Sequence, residues 1–179
     1  MKFLLILGLM LSQTPIGRQA DRRWRPATFR GITVGKSKRP DMLRALGQPK
    51  WSRTTPGEGD EHGTVWNNYE RVGEFPGPTN VATDSVTGII TRIDFYPAKL
   101  SKEEAIKYFG PKYVLTKYAF DPCPGDEETE PIYESPSGPL MSVEYRARGI
   151  AVSIGYKDMV TKISYVSGPI GSVKSKCAR

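Results

Sequence analysis

The sequence predicts an α+β protein made of two tandem repeats, each with about one helix and four antiparallel strands. Residues 37–49 (SKRPDMLRALGQP) and 101–111 (SKEEAIKYFGP) share a polar start, a short amphipathic stretch, and a glycine with proline close behind. Matching strand segments follow, TRIDF at 91–95 and TKISY at 161–165. This shared order of helix and strand signals indicates a duplicated unit. The predicted domains are a signal peptide (1–20), a first repeat (21–98), a second repeat (99–168) and a tail (169–179).

Each repeat is predicted to begin with a helix, near residues 38–46 and near residues 102–109. Ser101 and Glu104 have the spacing of a capping box at the start of the second helix. Pro40 falls in the first turn of the first helix, where its missing N–H costs no hydrogen bond. The apolar residues of each helix follow the spacing i, i+1, i+4, which places them on one side: Met42, Leu43 and Leu46, and then Ala105, Ile106 and Phe109.

The strands are predicted from alternating apolar residues and from turn signals. Acidic loops rich in glycine and proline, residues 56–63 and 121–131, separate strands within each repeat. A helix on one face of such a sheet leaves the other face to solvent. The sequence leaves open whether the two repeats share one sheet. The predicted strands cover residues 51–55, 64–70 and 91–95, and then 113–120, 140–147, 150–154 and 161–165.

The N-terminus predicts export. Lys2 precedes the apolar run FLLILGLML, residues 3–11, which is nine residues long. A bilayer span needs about 20 residues, so this run is typical of a secretory signal peptide. Ala20 is the natural last residue of that peptide, although the exact cleavage site is left open. We expect a periplasmic or secreted protein without a lipid anchor, because no cysteine follows the run.

The positive charge is concentrated near the N-terminus. The net charge is +7, and residues 1–55 hold twelve of the Lys and Arg residues. A basic segment favours anionic partners such as lipid head groups or envelope polymers. We predict contact with an anionic surface, and no nucleic acid, through Arg22, Arg23, Arg25, Arg30, Lys36, Lys38 and Arg39.

Cys123 and Cys177 are the only cysteines in the chain. We predict a disulfide between them, because export would place them in an oxidising compartment. Two unpaired thiols are the alternative, and the sequence does not decide between the two states.

No residue cluster in the sequence has a catalytic signature. Residues 31–37 (GITVGKS) look like a phosphate-binding loop, but three residues separate the glycines where that loop needs four. His62 is the only histidine, and it lies in an acidic loop that offers no scaffold for a catalytic triad. The carboxylates around His62, and those at residues 126–128, lack the ligand spacing of zinc or calcium sites. We therefore predict no catalytic residue, cofactor or metal.

A candidate interaction surface comprises Trp51, Trp66 and Tyr69. On a regular strand at residues 64–70, Trp66 lies on one face and Tyr69 on the other. At least one large aromatic side chain would then point away from the helix-covered core, as is common where a partner binds. The alternative is that Trp66 belongs to the core and Tyr69 lies among polar neighbours.

The residues at 31–37 (GITVGKS), followed by MLRALGQP at 42–49, resemble the start of the small outer-membrane assembly lipoproteins of the SmpA/OmlA (BamE) family. In that family a G-x-[ST] turn precedes a helix that ends in L-G-x-P, and strands with an aromatic residue follow, as in WNNY at 66–69. The doubled arrangement is similar to the β-lactamase-inhibitor protein architecture. That resemblance implies two helix-plus-sheet repeats that form a concave binding surface.

Export, a duplicated sheet scaffold and the lack of a catalytic cluster together favour one function. We expect a non-catalytic protein-interaction or scaffold module of the cell envelope. A secreted inhibitor of a hydrolase is one alternative. An enzyme of an unrecognised type is another.

Overall fold

The computed structural model describes residues 26–58, 62–72, 75–117, 141–168 and 170. The predicted signal peptide, Cys123, Cys177 and nearly all of the predicted tail lie outside these residues. No helix within the described part of the chain is long and apolar enough to cross a membrane. The elements are β1 (Thr28–Phe29), β2 (Ile32–Thr33), α1 (Arg39–Leu46), β3 (Trp51–Thr55), β4 (Thr64–Tyr69), β5 (Thr79–Asp84), β6 (Ile90–Phe95), α2 (Lys102–Phe109), β7 (Val114–Lys117), β8 (Met141–Tyr145), β9 (Ile150–Ile154) and β10 (Val160–Val166).

The predicted fold class, two α+β repeats of one helix and four strands each, is wrong. The described chain is mostly β, with one antiparallel sheet of eight strands in the order β3-β4-β5-β6-β10-β9-β8-β7 and a separate two-stranded sheet, β1-β2. Strands β6 and β10 pair with each other, from Ile163 opposite Phe95 to Val166 opposite Arg92. This pairing satisfies two strand edges that separate units would leave exposed, so a single sheet forms.

Both α-helices lie where the sequence predicts them. At the start of α2, the Glu104 N–H donates to Ser101 Oγ (3.2 Å), and the Ser101 N–H donates to the Glu104 carboxylate (2.8 Å). The predicted capping box is thus confirmed. At the start of α1 the Asp41 carboxylate accepts the Lys38 N–H at 2.9 Å. Both helices end at a glycine with positive φ, Gly47 and Gly110, a conformation that costs glycine little.

The helices pack on the same face of the large sheet. Tyr69 on β4 donates its hydroxyl to the Gly47 carbonyl at 3.3 Å, and Tyr145 on β8 donates to the Gly110 carbonyl at 2.8 Å. Because these carbonyls belong to the ends of α1 and α2, both tyrosines identify the helix-covered face. The core lies between this face and the helices, and its largest fully buried side chains include Met42, Ile93, Phe95, Ile150, Val152 and Ile163.

Strand β5 was not predicted. Its sequence, TNVATD, contains only two apolar residues, Val81 and Ala82. It nevertheless lies inside the sheet between β4 and β6, where Thr79 and Thr83 are almost fully buried. Threonine is β-branched and suits a strand, and here it fills buried positions where the alternating pattern would place apolar residues.

Candidate interaction surface

The face of the large sheet opposite the helices, which we call the open face, carries the candidate site. Antiparallel register decides which side chains share it, because residues directly opposite each other point to the same side. One row of paired positions crosses several strands: Trp51, Asn68, Asn80, Asp94, Ser164, Ala151 and Glu144. A second row runs beside it: Arg53, Trp66, Ala82 and Arg92.

Three side chains at the β3 end of the open face form what we call the aromatic corner: Trp51, Arg53 and Trp66. Trp51 is 46% exposed, Arg53 is exposed and Trp66 is half-buried. Arg53 is directly opposite Trp66. Trp51 lies on the diagonal from Trp66, a separation of roughly 7–8 Å that aromatic side chains can bridge. The corner therefore presents two indoles and a guanidinium together.

Tyr69 does not belong to this surface. It lies on the helix-covered face, is only 4% exposed and donates its hydroxyl to Gly47. Burial raises the pKa of the Tyr69 phenol, although nearby Arg39 opposes the shift. The candidate set of Trp51, Trp66 and Tyr69 is thus split by the sheet, and Tyr69 has a structural role.

A polar network occupies the centre of the open face. Asn68 Nδ2 donates to Asn80 Oδ1 at 2.8 Å. Further along the row, Asp94 Oδ1 accepts from Arg92 Nε (2.8 Å) and from Ser164 Oγ (2.6 Å). Asp94 is only 2% exposed, so these charge-assisted bonds offset the loss of its hydration. The Asp94–Ser164 bond also connects β6 to β10.

A second buried carboxylate, Glu144, lies in the same row. Arg146 Nε donates to Glu144 Oε2 at 2.9 Å. Three strand spacings of about 4.8 Å separate Asp94 from Glu144, so the two carboxylates are roughly 14 Å apart. Paired carboxylates that act on one glycosidic bond are about 5–9.5 Å apart. Each carboxylate is also bonded to its own arginine, so this arrangement does not form a carboxylate pair for acid–base catalysis.

His62 takes part in a turn. Its Nδ1 lies 3.0 Å from Asp84 Oδ2, and the other Asp84 oxygen accepts from the Val86 N–H, the Thr87 N–H and the Thr87 hydroxyl. These hydrogen bonds, led by that of the Thr87 N–H, lower the pKa of Asp84 to about 2. Within the described ranges, no group of three or more His, Cys, Asp or Glu side chains could hold a metal ion. Asp60 and Glu61 of the first acidic cluster, and the cluster at 126–128, lie outside those ranges.

The loop at residues 31–37 does not have its N–H groups free for a phosphate. The Gly35 N–H donates to the Ile90 carbonyl at 2.7 Å, and the N–H groups of Lys36 and Ser37 both donate to the Thr33 carbonyl. A phosphate-binding loop needs such groups to point at the ligand. The loop therefore connects β2 to α1 and anchors both to β6.

Four residues of the predicted anionic contact are described, and all four are exposed: Arg30, Lys36, Lys38 and Arg39. Arg22, Arg23 and Arg25 lie outside the described residues. Contact with an anionic surface stays a prediction.

Sequence reasoning missed Arg53 and the two ion pairs of the open face, in which only the carboxylate is buried. A signal for the pairs exists, since Arg92 and Asp94, and likewise Glu144 and Arg146, are opposite charges two residues apart within alternating strands. Residues i and i+2 of a strand share a face. Such spacing predicts an ion pair on one face, whereas the partners across the sheet depend on register.

Comparisons with known proteins assign no family. No protein-family model matches the chain, and no curated protein matches it. Among solved structures, the chain is similar to a DUF4309 family protein (YjgB) from Bacillus subtilis, with 15% sequence identity and a TM-score of 0.43. That match covers 81% of this chain and 88% of the other. This distant likeness carries no functional assignment.

Proposed function

We propose that the protein is an exported, non-catalytic interaction module of the cell envelope that binds a protein partner through the open face. The observation that carries the proposal is the aromatic corner, where an exposed Trp51, an exposed Arg53 and a half-buried Trp66 lie side by side. Tryptophan and arginine are the residues most enriched among those that dominate binding energy at protein interfaces.

The open face is well suited to hold such a contact surface in place. Beside the aromatic corner, the Asn68–Asn80 bond joins β4 to β5, and the bond of Ser164 with Asp94 joins β10 to β6. A surface whose side chains are already held by hydrogen bonds loses less conformational entropy on binding. The polar part of the open face beside the aromatic corner is therefore pre-organised.

The chemistry of the described residues also favours binding over catalysis. Asp94 and Glu144 are each bonded to an arginine and are about 14 Å apart by strand spacing. His62 is bonded to Asp84 at a turn. Val86 and Thr87 also donate hydrogen bonds to the Asp84 carboxylate. Export is supported by the apolar run at residues 3–11.

The test compares capture of a partner by three forms of the protein, residues 21–179. Bait protein is incubated with an envelope extract of its own host, and bound proteins are identified by mass spectrometry. We expect the wild type and a Tyr156→Ala control to capture the same partner, and a Trp51→Ala/Trp66→Ala variant to lose it. Tyr156 is a suitable control because it is 63% exposed and lies outside the open-face rows.

Thermal unfolding of each variant accompanies the capture assay. Because Trp51 is half-exposed, Trp51→Ala alone should change the free energy of unfolding by no more than about 0.5–1 kcal/mol. A double variant that is folded and still captures the partner at the wild-type level would contradict the proposal.

A further inference from the structure

Strand β3 is at the end of the large sheet and has a neighbouring strand on one side only. Its residues 51–54 are all exposed, unlike those of the strands inside the sheet. An edge strand carries main-chain N–H and C=O groups that point away from the sheet and can pair with another strand.

Hydrogen bonds between β3 and β4 show which carbonyls of β4 face β3. The Asn68 carbonyl accepts the Lys50 N–H at 2.8 Å, and the Thr64 carbonyl accepts the Thr55 hydroxyl at 3.3 Å. Main-chain groups alternate in direction along a strand, so the N–H and C=O groups of the even-numbered residues of β4 point toward β3. The Val65 carbonyl agrees with this alternation, since it accepts the Thr83 hydroxyl from β5 on the other side.

The register then decides the direction of the β3 groups. Trp51, Arg53 and Thr55 lie opposite the even-numbered residues of β4 and exchange main-chain bonds with them. Ser52 and Thr54 therefore direct their N–H and C=O groups away from the sheet. No described residue provides a hydrogen-bond partner for these outward groups.

The side chains of β3 add a charge preference. Arg53 is exposed, lies on the open face, and makes no ion pair with any described residue. A strand added beside β3 would place one side chain directly opposite Arg53, at a Cβ separation of about 5 Å. A carboxylate in that position gains a favourable contact, whereas a lysine or arginine is repelled.

We propose that β3 accepts an extended acidic segment of the protein partner as a ninth strand, with an Asp or Glu opposite Arg53. This inference rests on the proposed function and assigns to the partner a binding mode and a chemistry. Main-chain bonds to Ser52 and Thr54 supply affinity, and the side chain opposite Arg53 supplies selectivity, as in other cases of strand addition. A second copy of this chain fits less well, because the register that pairs all five residues of β3 puts Arg53 opposite Arg53.

The first experiment uses two synthetic peptides of seven residues, capped at both ends, that alternate threonine and valine and differ only in a central glutamate or lysine. Each is titrated into the uniformly ¹⁵N-labelled protein, residues 21–179, and amide hydrogen exchange is followed by NMR. We expect the glutamate peptide to slow exchange of the Ser52 and Thr54 amides by about tenfold or more, and the lysine peptide to leave them unchanged. Equal slowing by both peptides, or none by either, would overturn the proposal.

The second experiment removes the outward donors. Ser52→Pro and Thr54→Pro each delete an N–H that makes no bond within the sheet, and proline is tolerated on edge strands for this reason. The matched controls, Ser52→Ala and Thr54→Ala, lose the same hydroxyl but keep the N–H. We expect the proline variants to lose binding of the glutamate peptide and capture of the host partner, while the alanine variants retain both.

Three outcomes separate this inference from the proposed function. If the Trp51→Ala/Trp66→Ala variant loses partner capture but the folded proline variants keep it, the open face binds the partner and strand addition is wrong. If both sets keep capture, both proposals are wrong. Concentration-dependent dimerisation in analytical ultracentrifugation that Ser52→Pro abolishes would identify a second copy as the occupant and overturn the acidic-partner proposal.

Discussion

The eight-stranded sheet is continuous, and its two halves, β3–β6 and β7–β10, bury different side chains on the helix-covered face. Asn67 is fully buried in the first half, and it is satisfied by the Ser52 hydroxyl at 2.8 Å and by the Val81 carbonyl at 3.2 Å. A buried polar side chain is acceptable when its hydrogen bonds are made. On the helix-covered face, three positions of the first half can be matched to three of the second. They are Ser52, Asn67 and Thr83 in the first half, and Leu115, Val143 and Ile154 in the second.

The second half relies on aromatic packing instead. The ring of Phe109, the last residue of α2, lies 5.5 Å from that of Tyr145 and 6.3 Å from that of Tyr165. The last residue of α1 is Leu46, which is only partly buried. The two helices therefore end differently, because α2 buries an aromatic ring at its last residue whereas α1 ends in a partly buried leucine.

The open face differs between the halves in a way that bears on function. Trp51 and Trp66 of the first half correspond in sheet position to Val114 and Ser142 of the second. Since the second half forms its part of the sheet without large aromatics at these places, the fold does not require them. This asymmetry agrees with a binding role for the aromatic corner.

The largest expected effect tests the difference between the helices. Phe109→Ala should lower the free energy of unfolding by about 3–4 kcal/mol, because it removes a buried ring and leaves a cavity. Leu46→Ala, at the matching end of α1, should cost only about 1–2 kcal/mol, because Leu46 is partly exposed. Urea denaturation of both variants measures the two values. Equal losses would show that the two helices are held in the same way.

A smaller effect is expected at the two tyrosines that bond to the helix ends. Tyr145→Phe should cost about 1 kcal/mol and Tyr69→Phe about 0.5 kcal/mol, since the hydroxyl-to-carbonyl distance is 2.8 Å for Tyr145 and 3.3 Å for Tyr69. Chemical denaturation gives both values, and the phenylalanine ring preserves the packing. A larger loss for Tyr69→Phe would reverse the order that the distances predict.

The smallest effect concerns the turn between β5 and β6, where the pKa of Asp84 is lowered to about 2 by bonds from Thr87, His62 and Val86. A carboxyl group whose pKa is lower in the folded state than in the unfolded state, where it is about 3.9, stabilises the fold above that unfolded value. This stabilisation is lost as the pH falls from about 4 to about 2. We expect the melting temperature of Asp84→Asn to fall less than that of the wild type as the pH is lowered over this range. The same pH dependence in both proteins would show that Asp84 makes no such contribution.

The elements that the sequence predicted correctly are those with local signals. The Ser101–Glu104 capping box, the glycines after both helices, and the alternation of residues 150–154 all depend on neighbours within a few positions. Strand β5 lacked such a signal, because Thr79 and Thr83 are polar residues that are buried between β4 and β6. Its assignment required the pairing partners.

Alternation along residues 64–69 correctly separated Trp66 from Tyr69 but could not say which face the helices cover. Asn67 shares a face with Tyr69, and a polar residue there suggests that this face is exposed to solvent. Asn67 can be buried because the Ser52 hydroxyl and the Val81 carbonyl bond to it, which the sequence does not show. The face of the candidate site was therefore a question for the tertiary structure.

By itself, the sequence determined where the helices start and stop and which residues of a strand share a face, because caps, glycines and period-two alternation act over a few residues. Only the tertiary structure decided that β6 and β10 join the halves into one sheet, that Ser164 bonds to Asp94 across 70 residues of chain, and that Trp66 rather than Tyr69 lies on the open face. The physical reason is that strand pairing is non-local. Its partners are selected by the burial and hydrogen bonding of the whole sheet, which no short segment encodes.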